Sequence, residues 1–390
     1  MIKLKILHTA DWHLGKIVHG ASMIDDQHYI LQQLTELIQK EAPHVVIIAG
    51  DLYDRAIPPP EAVDLLNEFL DEIVLSLNIP VIAIAGNHDS PSRLEFGSKL
   101  MKERGFYISG QLEKEIEPVI LHDEEGPVHF YPIPYVDPSI VRYLYDDDSI
   151  KTFDDAYRVI IDQILATLDE KVRNVLIGHA FVTPHGEQQE NTSDSERILS
   201  VGGIEYVNAT HFELFDYVAL GHLHKAHFVK EEKIRYAGSP LKYSISEEHH
   251  NKGFYIVELQ KDGSVTIDKR LLQPKRDMRT VEGTIEEILQ MEPSEDYVFV
   301  KLLNRSPVLS PMEKVRSVFP NALHLERPFD QFTPTEEKIT RIQKKKQSDF
   351  ELFKGFYEEV KGFEPDDETL TVFREIMDEL IKKDNELIEN

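Results

Sequence analysis

Cysteine is absent from all 390 residues. That excludes disulfides, thiolate metal ligands and cysteine nucleophiles, and leaves nitrogen and oxygen as the donors for any metal chemistry. Long apolar runs are missing too, since none approaches the roughly 18 residues needed to span a bilayer. The opening Met1-Ile2-Lys3-Leu4-Lys5 leads straight into a strand-like run with no signal-peptide cleavage region, so the expected location is the cytoplasm. Positive charge is scarce: 43 Lys and Arg face 70 Asp and Glu, a net charge of −27. Such acidity argues against passive binding of nucleic acid. It leaves open a nucleic acid reached through metal ions, a local basic patch or a basic partner. Tryptophan occurs once, as Trp12, and is read as packing.

What the chain does contain is one recurring phrase: an apolar strand-like run, a glycine, then a metal-liking polar residue. It appears as Val45-Val46-Ile47-Ile48-Ala49-Gly50-Asp51 and as Val81-Ile82-Ala83-Ile84-Ala85-Gly86-Asn87-His88-Asp89. It returns as Val175-Leu176-Ile177-Gly178-His179 and as Tyr217-Val218-Ala219-Leu220-Gly221-His222-Leu223-His224. A fifth version, Leu4-Lys5-Ile6-Leu7-His8-Thr9-Ala10-Asp11-Trp12-His13, lacks the glycine. Nearly continuous apolar runs of this length read as strands buried on both faces, and ligands bind beyond the carboxyl ends of such strands. Five strands thus deliver Asp11, His13, Asp51, Asn87, His179, His222 and His224 toward one edge of a core. Five loose histidines, His8, His19, His44, His185 and His227, read as surface or core residues.

In chain order, helical spacing over 24–40 and from Glu61 to Leu77 separates the first three strands, which predicts right-handed crossovers and a largely parallel sheet. Short strands and turns are expected over 115–150, punctuated by Pro132, Pro134 and Pro138, and then a helix over 153–169. Alternating segments near 226–238, 253–259 and 264–271 suggest an antiparallel second sheet. The expected fold is α/β, a two-sheet sandwich flanked by helices. After Pro274 a small α+β pattern follows, with a strand at Tyr297–Leu303 and a helix near Pro311–Phe319. Two helical stretches, 335–361 and 367–388, end the chain, the first carrying Lys344, Lys345 and Lys346. The division is therefore 1–276, 277–333 and 334–390. The aromatic and apolar terminal pair must dock on its own body or on a partner.

Asp, Asn and His without sulfur suit Mn²⁺, Fe²⁺ or Zn²⁺. Seven such ligands exceed the needs of one ion. A carboxylate shared by two ions about 3.5–4 Å apart uses them all, and such pairs suit in-line attack on phosphate. His88, beside Asn87, is placed to stabilise or protonate the leaving oxygen.

Taken together, Asp11-Trp12-His13, Gly50-Asp51-Leu52-Tyr53-Asp54-Arg55, Gly86-Asn87-His88-Asp89, Gly178-His179-Ala180 and Gly221-His222-Leu223-His224 resemble the five motifs of the calcineurin-like metallophosphoesterases. Within them, Ser193–Arg197, Val201-Gly202-Gly203 and Tyr236–Ser244 resemble the nuclease subunits of bacterial ATPase–nuclease complexes. The likeness is strong over about 1–275 and looser beyond. It implies one ion on Asp11, His13, Asp51 and His224, a second on Asp51, Asn87, His179 and His222, and His88 acting on the phosphate. It gives Asp54 a role in orienting that histidine. It implies a Mn²⁺-dependent 3′-to-5′ exonuclease on duplex DNA ends and endonuclease on single strands and hairpins. The partners implied are a second copy of the chain and an SMC-type ATPase docked on the terminal helices, with 277–333 capping DNA access. Two other readings share some of these features: a phosphodiesterase acting on small nucleotides, and a non-enzymatic scaffold, which would be expected to lose ligands. None of the seven is lost.

Overall fold

The computed structural model describes residues 4–185 and 206–327, with a few isolated positions between 353 and 372. The polar stretch 183–203 lies outside the described residues from 186 on, and so, but for those few positions, do the two terminal helical stretches. Met1–Arg327 forms one compact unit and Pro328–Asn390 a second, in which the described rings of Phe353 and Tyr357 lie 5.9 Å apart.

Two six-stranded sheets form the centre of the first unit. In the first sheet, Leu4–Thr9, Val45–Ala49, Val81–Ile84 and Phe106–Ser109 run parallel. Gly253–Leu259 and Val265–Leu271 extend it antiparallel on the Leu4–Thr9 side. In the second sheet, Gly126–Ile133, Arg173–His179, Tyr217–Gly221 and Glu231–Tyr236 are parallel. Val119–Asp123 and His227–Val229 close its two edges antiparallel. The inner faces meet in a core of Ile6, Val45, Ile47, Ile82, Ile84, Val128, Phe130, Val175, Ile177, Ala219 and Val257. Burying a side chain of this size stabilises the fold by about 1.5–3 kcal/mol.

Helices cover the outer faces. Ile24–Glu41 and Pro60–Leu70, the latter continued by a π-helical turn over Asp71–Ser76, pack Ile30, Leu34, Ile38, Leu65 and Phe69 on the first sheet. Phe153–Leu165 covers the second with Phe153, Tyr157, Ile160 and Ile164. Its start is fixed by a capping box between Thr152 and Asp155. Among the described residues no helix is long and apolar enough to cross a membrane.

Two expectations need correction. The segments 253–259 and 265–271 do not belong to a second, antiparallel sheet; the former pairs with Leu4–Thr9 in the first and the latter pairs with it in turn, and the second sheet is mainly parallel. Gly253–Leu259 is buried at almost every position, which an edge hairpin with a solvated face would not be. The stretch around Pro138 is a helix, Pro138–Tyr145, and not a turn. Proline there occupies the first helical position, and the side chain of Asp137 caps the helix by accepting from Ser139 N at 2.8 Å.

A parallel three-stranded sheet, Met278–Gly283, Tyr297–Leu302 and Ala322–Glu326, has its own core of Val281, Ile288, Val298, Val300, Val315 and Phe319. It packs on the sandwich through Met278 and Tyr297 against Val18 and Met23, and Tyr297 donates to Asp26 Oδ2 at 2.8 Å.

Candidate metal centre

The two sheets touch where the strands ending at Ala49 and Gly221 meet. A side chain at Gly221 would put its Cβ 1.8 Å from Ala49 O and 2.9 Å from His179 Nδ1. Glycine is needed there because backbone from the other sheet occupies the space. This close approach brings the ligand-bearing ends of both sheets together.

Past the strand ends the backbone turns sharply. Asp11, His13, Asp51 and His222 all take positive φ, at 53°, 46°, 51° and 103°. Left-handed backbone in non-glycine residues costs on the order of 1–2 kcal/mol each, and its clustering marks a functional site. The turns are held by main-chain bonds, with Asp11 N donating to Gly50 O at 3.1 Å and His13 N to Asp51 O at 2.9 Å.

Asp51 sits at the centre. Its Oδ1 accepts from His88 N at 2.9 Å, and its Oδ2 lies 3.4 Å from His179 Nε2 and 3.6 Å from His13 Nε2. Gly86 makes room for it, since a Cβ there would fall 2.2 Å from Asp51 Oδ1. Asp11 Oδ1 accepts from His222 N at 2.8 Å. His179 Nδ1 donates to Ala49 O at 2.9 Å, which turns Nε2 toward Asn87 Oδ1 at 3.0 Å. His222 Nδ1 is 3.1 Å from the same Asn87 oxygen. His13 Nε2 faces His224 Nε2 at 3.0 Å.

These contacts fit a pair of cations. Two sets of donor atoms, on His13, Asp51 and His88 and on Asp11, Asp51 and His179, each lie within 4.8 Å of one another, and Asp51 belongs to both. Asp11 Oδ2 and His13 Nδ1 are buried with no hydrogen-bond partner. Ring nitrogens of His179 and His222 both converge on Asn87 Oδ1, a crowding an ion reconciles. Burial pushes the Asp11 carboxyl up to about 6, and burial holds His13 well below its ordinary value. Burial and the neighbouring His179 bring His222 down to about 3. Burial also opposes charge on His179, yet the Asp51 and Asp11 carboxylates hold it up at about 9. The carboxylates thus demand positive charge at the centre of the site. Asn87, His88 and His222 are part-exposed while Asp11, His13, Asp51, His179 and His224 are buried, so the site opens on the former side.

All seven sequence-identified ligand candidates converge here. His88 lies beside them, its ring edge-on to His13 with centroids 4.7 Å apart. Its Nδ1 donates to the main-chain carbonyl of Asp54 at 2.9 Å, leaving Nε2 for other contacts. Asp54 therefore touches His88 through its backbone; its carboxylate pairs with Lys16 at 2.8 Å. Lys242, in the Tyr236–Ser244 stretch, pairs with Asp277 at 2.8 Å. Trp12 is fully buried, edge-on to Phe69. Of the loose histidines, His8 is buried, its Nδ1 2.8 Å from the Tyr217 hydroxyl.

Sequence reading missed the groups that hold the ligands. Asp89 accepts from the main-chain N–H of Leu52, Tyr53 and Gly86 at 2.9–3.0 Å, tying two motif loops together. Gln27 donates to His13 O at 2.7 Å and accepts from Gly15 N at 2.9 Å, and Tyr243 donates to Trp12 O. Glu247 Oε1 faces His224 Nδ1 at 3.1 Å. Asp89 lay inside the Gly-Asn-His-Asp motif and Tyr243 inside the Tyr236–Ser244 stretch, whereas Gln27 and Glu247 lay outside every motif.

Comparison with known proteins agrees with this geometry. The calcineurin-like phosphoesterase family matches residues 4–226, and the type 5 capsule protein repressor C-terminal domain (SbcD_C) matches 274–361. The chain is 37% identical over 359 residues to the SbcD component of the nuclease SbcCD from Staphylococcus epidermidis, covering 91% of this chain and 92% of that one. It is also 37% identical over 364 residues to the same component from Staphylococcus saprophyticus, covering 92% and 94%. A dimetal phosphatase from Danio rerio superposes with a TM-score of 0.38 at 12% identity over 70% of this chain and 97% of that one, too distant to bear on the assignment. A chain matched across its length by these relatives, with the five motifs converging on one strand edge, belongs to the SbcD family of calcineurin-like phosphoesterases.

Proposed function

We propose that this chain is a two-metal DNA nuclease that hydrolyses phosphodiester bonds. The reading rests chiefly on Asp51, whose carboxylate is common to both donor sets, and on the likeness to the SbcD component of the nuclease SbcCD over nine-tenths of the chain. Asp11, His13, Asp51 and His224 would hold one ion, and Asp51, Asn87, His179 and His222 the other. Bound divalent ions supply Lewis acidity toward a phosphoryl group and make water acidic enough to ionise near neutral pH. The chain's own contribution is to fix the ligands in a dry, strained frame and to leave His88 beside the open mouth. With Nδ1 committed to Asp54 O, His88 offers Nε2 to a phosphate oxygen or to the departing 3′ oxygen. Loss of that ring is expected to lower turnover by about 10²–10⁴-fold.

Further elements belong to the same proposal. The ions are Mn²⁺, and the activity is 3′-to-5′ on duplex ends and endonucleolytic on single strands and hairpins. The chain works as a homodimer in the cytoplasm with the ATPase SbcC, bound through the C-terminal helices of 334–390, in DNA repair and recombination. The sheet of residues 278–326, within the segment 277–333, shapes access of DNA. A net charge of −27 fits a substrate gripped largely by ions and by the partner.

The test uses the full chain, a 3′-labelled linear duplex, and Mn²⁺, Mg²⁺ or EDTA, beside Asp51→Asn and His88→Ala. Expected is metal-dependent release of label, lost in both variants, with Mn²⁺ binding retained in His88→Ala. A duplex left intact while a small chromogenic phosphodiester is hydrolysed would favour the small-nucleotide reading for the isolated chain. No hydrolysis of either, with no ion bound, would sink the enzymatic reading.

A further inference from the structure

We propose that Glu247, gripped by Lys252, is a positioning residue that fixes the ring tautomer and orientation of His224. The proposal rests on reading His224 as an ion ligand and extends it to residues outside the motifs.

Glu247 ends a 3₁₀ turn, Ile245–Glu247, and is fully buried. An ionised carboxylate out of water costs several kcal/mol unless its oxygens find strong partners. Both do. Oε1 faces His224 Nδ1 at 3.1 Å, and Oε2 accepts from the buried Lys252 ammonium. That ammonium also donates to Ser239 Oγ at 2.7 Å and to the main-chain carbonyl of His224 itself at 2.9 Å. Three N–H groups thus meet three acceptors. The contacts close a ring from the His224 imidazole through Glu247 and Lys252 back to the His224 backbone, so the residue is clamped at both ends. The fit is close: a side chain at Gly238 would bring its Cβ 2.7 Å from His224 O.

A carboxylate facing Nδ1 selects the tautomer with the proton there. Nε2 is then the lone-pair nitrogen, and Nε2 is the atom that points at His13 Nε2, 3.0 Å away in the centre of the site. A carboxylate on the far nitrogen also raises the basicity of the coordinating one. The neighbouring Glu248 points elsewhere, accepting from Thr280 N of the small sheet at 2.8 Å. It serves as a control for mere disturbance of the loop.

The test titrates the full chain with Mn²⁺ alone and follows free ion by electron paramagnetic resonance. Glu247→Ala is expected to weaken one of two bound ions by about 10–100-fold and to leave the other unchanged. Glu247→Gln, which keeps an acceptor but no charge, should lose less, and Glu248→Ala should change neither. In a His224→Ala background, Glu247→Ala should add no further loss. Independently, ¹⁵N spectra of the histidine-labelled chain in EDTA should show His224 protonated on Nδ1. A wild-type His224 protonated on Nε2 overturns the proposal, even if Glu247→Ala does not fold. So does a folded Glu247→Ala with wild-type Mn²⁺ affinity, or one whose loss persists in full without His224. If His224→Ala itself keeps both ions, the failure lies in the reading of His224 as a ligand.

Discussion

Adding one methyl group at Gly221 should damage the metal centre more than it damages the fold. The new Cβ would lie 1.8 Å from Ala49 O, where contact between carbon and oxygen needs about 3.3 Å, so the strands must separate locally by about 1.5 Å. Ala49 O accepts from His179 Nδ1, and Ala49 precedes Gly50-Asp51. The displaced carbonyl therefore releases His179 from its tautomer and shifts the carboxylate shared by both donor sets. Overpacking of this kind costs typically 1–3 kcal/mol of stability. A misplacement of about 1 Å at a reacting centre costs on the order of 10²-fold in rate. The assay pairs urea denaturation with Mn²⁺ titration and DNA cleavage of Gly221→Ala. Expected is a folded protein, weaker by those few kcal/mol, that has lost at least tenfold in Mn²⁺ affinity and about 10²-fold in cleavage. Wild-type affinity and cleavage would refute the claim that the touching sheets align the ligands.

Three other perturbations follow from buried groups. Asp89→Asn leaves one of three main-chain N–H groups facing an amide instead of a carboxylate oxygen, and should cost about 1–3 kcal/mol with a measurable loss of Mn²⁺ affinity through the Asp51 loop. Burial lowers the His8 imidazole to about 3, so below its ordinary 6.5 the unfolded chain binds a proton that the folded one refuses. Stability from this residue is present above pH 6.5 and is lost as pH falls. Between pH 7.5 and 5.0 the wild type in EDTA should lose about 2 kcal/mol more than His8→Gln, a figure that needs only a folded value below 5. Equal losses would refute it. Ile160→Ala, on the buried face of the helix over the second sheet, should cost about 2–5 kcal/mol by urea denaturation with Mn²⁺ affinity unchanged, because its side chain offers no donor to the centre.

The strands and their candidate ligands were legible because burial on both faces forces continuous apolar runs, and four of the five runs end in glycine plus a polar residue. Val45–Ala49 to Asp51 and Tyr217–Gly221 to His222 show this most clearly. Sheet membership was not legible. Gly253–Leu259 reads as a strand, but its partner, Leu4–Thr9, lies almost 250 residues earlier, and no local pattern encodes that pairing. The helix after Asp137 was hidden by Pro138, whose meaning depends on whether it begins a helix or breaks one. Glu247 and Lys252 were invisible for a related reason. In an acidic chain a Glu and a Lys five residues apart read as surface, and only the fold shows them buried against His224. Asp54 was expected to orient His88, and the contact between them is made by its carbonyl, which any residue carries.

Sharing of the Asp51 carboxylate by two ions is measured most directly by Mn²⁺ stoichiometry and spin coupling in the wild type and in Asp51→Asn. Two Mn²⁺ per chain with an exchange-coupled signal, reduced to one or none and uncoupled in the variant, is the predicted result. A single isolated Mn²⁺ in the wild type, or a coupled pair that survives Asp51→Asn, would contradict it.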